Sequence, residues 1–206
     1  SSSAASDVYK RQEYTIYPDI IWNYEALKNN VQAEPVSVAV KVEMNGDDLG
    51  QRVRTFSVRS INECLLGYVA NGTKFYDTSI FFAAYVNEEN PMIDQLLREA
   101  LNTRIVNRFL GYQSKAKGVV DKQVYALWNI LQKRKFRYSS VSNTSLSSNV
   151  VFSQRVRTFD DALDSSQINC VDGSVLFASL LRSINIDPIL VRTPGHMLSL
   201  IHISEP

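Results

Sequence analysis

The chain has 206 residues, of which 45% are hydrophobic and 21% charged, and a formal net charge of +1 at pH 7. These are globular proportions, and the balanced charge gives no electrostatic footprint for nucleic acid or an anionic membrane surface. No apolar run approaches the roughly 20 residues that a membrane span requires.

The two ends stand apart from the rest. Ser2 to Gln12 resembles a frame translation of a transposon-based sequencing-library adapter, and Leu198 to Pro206 resembles the opposing adapter. Residues 1–12 and 198–206 are therefore expected to be foreign and are set aside from fold reasoning. On that expectation the natural part is truncated at both ends. His202 then drops out, leaving His196 as the histidine to consider.

Residues 13–76 read as β-rich. Ile16 to Trp22 is a candidate strand. Val36, Val38, Val40, Val42 and Met44 alternate with Ser37, Ala39, Lys41 and Glu43, the period of a half-buried strand. Asn45-Gly46-Asp47-Asp48 is a turn signal, and Gln51 to Val58 reads as the partner strand of a hairpin. This region is expected to be part of a β-sandwich that serves as a platform and carries no chemistry.

Helices follow. Asn90 caps and Pro91 opens a helix whose apolar residues recur from Met92 to Phe109, with Gly111 as its stop. A second helix is expected over residues 121–133, with Val124, Leu127, Trp128 and Leu131 on one face. Its aromatic residues are expected in the core rather than in a ligand cage. Ser139 to Ser153 reads as a long loop.

From Asp172 the residues Val175, Leu176, Phe177, Ala178, Leu180, Leu181 and Ile184 are apolar on nearly all sides, which marks a central buried helix. Asn185 suits its left-handed cap, and Ile189-Leu190-Val191 is a short strand between Pro188 and Pro194. Cys170 falls at the start of that helix, where unpaired backbone N–H groups favour a thiolate and offer donors to an oxyanion. His196 lies on the returning segment. The helix runs about 22 Å out at 1.5 Å per residue, and the strand runs about 23 Å back at 3.3 Å per residue, so the imidazole arrives near the level of the thiol. A nearby imidazole can take the thiol proton and return it to a leaving group. Without such a pairing, Cys170 reads as a small buried hydrophobe, His196 as a structural histidine and Asp172 as a carboxylate complementing the helix dipole. Cys64 and Cys170 sit in different segments and suggest neither a disulfide framework nor a zinc site. No phosphate loop or dinucleotide fingerprint is present, and no cofactor or metal is expected.

The segments Gln154-Arg155-Val156-Arg157, Asn169-Cys170-Val171-Asp172, Leu176 to Leu181, Ile186-Asp187-Pro188 and Pro194-Gly195-His196 resemble the transglutaminase-like superfamily. Phe82 to Asn87, Gly111-Tyr112-Gln113 and Val124 to Gln132 fit the same group, in particular its bacterial members with a β-rich N-terminal part. The resemblance implies an α+β fold: a papain-like α/β core over residues 77–197, truncated, behind a sandwich-like N-terminal region. It also implies a Cys–His–Asp/Glu triad, with Cys170 as nucleophile and His196 as base. The third acid is expected on the strand after the histidine strand and is not found in the chain. Glu205 lies in the adapter-like tail and is not promoted to that role. The implied function is a thiol-dependent hydrolase or acyl transferase on amide bonds of a protein or peptide, with hydrolysis favoured and the fragment itself inactive. The alternative is a non-catalytic binding or structural module. The resemblance also leans to a cell-envelope or secreted location.

Overall fold

The computed structural model describes residues 15–114, 116–140 and 148–201. The adapter-like head, His202, Glu205 and residues 141–147 of the expected loop lie outside them. Helices and strands are mixed, as an α+β protein requires.

Residues 15–23 carry no regular structure, so the candidate strand at Ile16 to Trp22 does not form. Helix α1 (Tyr24–Asn29) follows instead, capped by the Asn23 side chain. Strands β1 (Glu34–Met44) and β2 (Asp47–Val58) make the expected antiparallel hairpin. Asn45 and Gly46 both take positive φ, 54° and 88°, the geometry of the two-residue turn that matches strand twist. The expected half-burial is not met. Every position of β1 is exposed, because nothing among the described residues packs on either face, and so no sandwich core forms there.

Strands β3 (Glu63–Ala70), β4 (Lys74–Asp77) and β6 (Val151–Arg155) form an antiparallel sheet in the order β4-β3-β6. That sheet spans the boundary expected at residue 76, and β6 turns the end of the expected loop into structure. A 3-10 helix (Ser79–Tyr85) leads to α2 (Pro91–Asn102), capped by Asn90 with Pro91 in its first turn. Helix α2 stops well before the expected Phe109. The Thr103 hydroxyl donates to the Ala100 carbonyl, and Arg104 turns left-handed at φ 60°. Helix α3 (Val119–Lys133) then packs on α2.

The central helix is α5 (Cys170–Ser183), preceded by α4 (Phe159–Ser165). Its Val175, Leu176, Leu180 and Leu181 are all 1% exposed or less and join Leu96, Leu127 and Ile186 in one core. Asn185 adopts the expected left-handed φ of 59°. Strands β8 (Pro188–Thr193) and β9 (His196–Ile201) form a hairpin against α5. The pairing continues to Pro188–Ile201, so adapter-like residues occupy most of β9. Two short strands, β5 (Arg137–Tyr138) and β7 (Gln167–Ile168), pair in parallel just ahead of α5.

The far end of α5 is held by a buried amide. Gln123 accepts from the N–H groups of Leu110 and Gly111 at 2.7 and 2.9 Å and donates to the Gly111 carbonyl at 3.0 Å. Gly111 sits at φ 55°, and a Cβ there would lie 2.6 Å from the Ile184 carbonyl oxygen. Gly111→Ala meets both a left-handed backbone and a rigid neighbour. It is expected to cost more than about 1 kcal/mol in urea unfolding; an unchanged midpoint would show that the two segments are not in contact.

Candidate active site

The site is built on the first turn of α5. Asn169, in an extended conformation, accepts from the Asp172 N–H at 2.9 Å, and Asp172 Oδ2 accepts from the Asn169 N–H at 3.0 Å. This reciprocal capping box sets where the helix begins, and Cys170 is its first residue. The Asp172 carboxylate does more than complement the dipole. Its Oδ1 accepts from the Arg157 N–H at 2.9 Å and its Oδ2 from Arg157 Nη1 at 2.5 Å. Arg157 Nη2 donates onward to Ser139 Oγ at 3.1 Å. The charge that Asp172 brings close to Cys170 is thus matched by a guanidinium. Asn169 and Asp172 are both buried, while Cys170 is only half-buried.

Cys170 lines two unlike cavities. One, of about 240 Å³, also holds Gln154, Val171, Arg192, Thr193 and His196. The other, of about 690 Å³, is a largely apolar groove walled by Trp128, Phe136, Tyr138, Ile168 and Phe177. The expected pair, Cys170 and His196, is therefore brought to a common cavity. No hydrogen bond joins the two. His196 opens β9 directly after the Pro194–Gly195 turn, opposite Thr193, whose hydroxyl donates to the His196 carbonyl at 3.4 Å. Its side chain is exposed. By strand alternation it shares the outer face with Leu198 and Leu200, while Met197 turns inward and is buried. Among the described residues the imidazole has no hydrogen-bond or ion-pair partner, and no carboxylate orients it.

Comparison with protein-family models, curated proteins and solved structures gives no match for this chain.

Tyr138 is the residue that sequence reasoning missed. The parallel β5–β7 pairing sets Tyr138 opposite Ile168, two positions before Cys170. The phenol is held above its usual range, first by its closeness to the Cys170 sulfur and then by desolvation. Only the pairing across the intervening chain brings the ring there, and no local motif announces it. Trp128 departs from expectation in another way. It is 49% exposed, meets Phe177 edge to face at 6.1 Å, and stands on the groove rather than in the core.

The second thiol has a different setting. Cys64, on β3, is 1% exposed, and burial pushes its pKa up to about 11. Among the described residues no three His, Cys, Asp or Glu side chains gather as a metal site, and no helix is long and apolar enough to cross a membrane.

Proposed function

We propose that this chain carries the nucleophile, Cys170, and the proton carrier, His196, of a transglutaminase-like thiol site for acyl transfer from amide bonds of a protein or peptide, with no orienting acid among the described residues and turnover correspondingly weak. The observation that carries the reading is the placement of Cys170 on the first turn of a buried helix, in a cavity shared with His196. The capping box uses the N–H groups of Asn169 and Asp172. Those of Cys170 and Val171 remain to receive an oxyanion, and Val171 lines the same cavity.

The chemistry balances with these groups alone. The Cys170 sulfur attacks the amide carbon, and the thiol proton passes to His196. The tetrahedral intermediate collapses as the C–N bond breaks, and His196 gives its proton to the departing amine. The product is a thioester on Cys170. Water, deprotonated by His196, then attacks that thioester, releasing a carboxylic acid and restoring the thiol. An amine in place of water gives transamidation. Hydrolysis is the simpler outcome, because nothing in either cavity marks a site for an amine.

The exposed, unoriented imidazole favours a second reading, a non-catalytic module of the same architecture. Acylation by p-nitrophenyl acetate separates the two. The expected result is a hydroxylamine-sensitive acetyl adduct on Cys170, formed about 10² to 10⁴ times more slowly in His196→Ala. An equal rate in that variant removes the imidazole from the mechanism and leaves the binding module.

A further inference from the structure

The groove beside Cys170 is unlike the cavity shared with His196. Its walls are Trp128, Phe136, Tyr138, Ile168 and Phe177, and Gly173, one helical turn on from Asn169, adds no side chain to it. At about 690 Å³ it falls in the range of pockets that enclose small organic groups. The rings of Trp128 and Tyr138 are 49% and 66% exposed at its edge. Large aromatic surfaces left open beside a nucleophile offer an apolar group both area and a face to stack on. The second cavity that Cys170 borders is about a third of that volume and mixed in character, with Gln154, Arg192, Thr193 and His196 facing Leu66, Phe82 and Met197, so it offers partners to polar atoms that the groove does not. The two cavities meet at Cys170, so one molecule reaching the sulfur can lie in both.

We infer that the groove is a specificity subsite for a large apolar side chain, preferably aromatic, on the acyl substrate that Cys170 attacks. This deepens the acyl-transfer reading and rests on it for the word substrate. The occupant belongs to the substrate rather than to a docked protein, because Cys170 and Met197 border both the groove and the cavity that holds His196.

The test uses the full chain and two alkylating probes, chloroacetamide and its N-benzyl derivative. In both, the Cys170 sulfur forms a C–S bond and chloride leaves, so the chemistry is the same and only the apolar group differs. Rates at Cys170 are read by peptide mass spectrometry and divided by the rates of the same probes with free cysteine. The benzyl probe is expected to react at least about tenfold faster after that correction, the discrimination a hydrophobic pocket gives for a small apolar difference. The ratio is expected to fall toward one in Trp128→Ala and in Tyr138→Ala, whose exposed ring can be removed without opening the core. A corrected ratio of one in the unaltered chain, or a ratio that neither substitution moves, overturns the subsite. The acetyl-adduct experiment fails separately. A benzyl preference without an adduct sinks acyl transfer and keeps an apolar site, whereas an adduct without the preference sinks the subsite alone.

Discussion

Iodoacetamide at pH 7 is expected to label Cys170 in the folded chain at least about 100 times faster than Cys64. The two thiols form an internal comparison. With its pKa pushed up to about 11, Cys64 holds about one thiolate in ten thousand at pH 7, against roughly three in a hundred for an ordinary accessible thiol. Burial adds to the difference, since Cys64 is 1% exposed in the core and Cys170 opens onto two cavities. The sign of the pH dependence follows. Cys64 labelling should climb about tenfold per pH unit up to pH 11, provided the fold survives, and should appear at once in denaturant. Cys170→Ala should remove the fast phase entirely. Equal labelling of the two thiols argues that the site is not open to solvent.

The parts of the fold that could be read in advance are those written locally. The helix start near Cys170 and the left-handed Asn185 both appear as expected, and the reciprocal Asn169–Asp172 capping that makes the start, though not foreseen, is also local. The Asn45-Gly46 turn is equally local. Much of what failed depended on partners distant in sequence, and some on local bonds without a Gly or Pro to mark them. The alternation in β1 describes an amphipathic strand correctly, but whether its apolar face is buried depends on another layer, and none among the described residues supplies one. The end of α2 was misplaced because Asn102, Thr103 and Arg104 contain no Gly or Pro, and the stop is made by a hydroxyl turning back on the helix.

The site divides along the same line. Cys170 and His196 are singled out by a family resemblance, and the similar lengths of a helix out and a strand back are compatible with the one cavity that both border. Strand parity could not be settled in that way. Whether His196 faces inward is decided by the β8–β9 register, in which Thr193 pairs with His196 and Met197 takes the inner position. Tyr138 and the groove were invisible because they arise from a two-residue parallel pairing and from helix α3 packing beside α5. Arg157 lies in a segment with a family resemblance, yet its contacts are structural: it joins the chain after β6 to the first turn of α5.

That joint is where the largest loss of stability is expected. Asp172 has a side chain 1% exposed against 17% for Arg157, and its two oxygens serve three donors: the Asn169 N–H, the Arg157 N–H and the Arg157 guanidinium. Asp172→Ala removes the acceptor half of the capping box and leaves a nearly buried guanidinium without its carboxylate. Breaking one side of a buried ion pair costs about 3–5 kcal/mol. For a chain of this size each kcal/mol lowers the melting temperature by roughly 2–4 °C, so the midpoint should fall by about 6–20 °C. Asp172→Asn keeps an oxygen for the backbone donors but loses the charge, and should fall between the two. The double change Asp172→Ala with Arg157→Met should recover part of the loss, because the guanidinium that lost its carboxylate is removed as well. A single Asp172→Ala midpoint within 2 °C of the parent, by the same roughly 2–4 °C scale, would mean the pair is solvated and does not hold α5 in place. The thiol supplies a second readout, since a loosened first turn should slow the fast labelling of Cys170 below the melting transition, and a variant that melts early yet labels at the parent rate would show that the helix start and the sulfur are positioned independently.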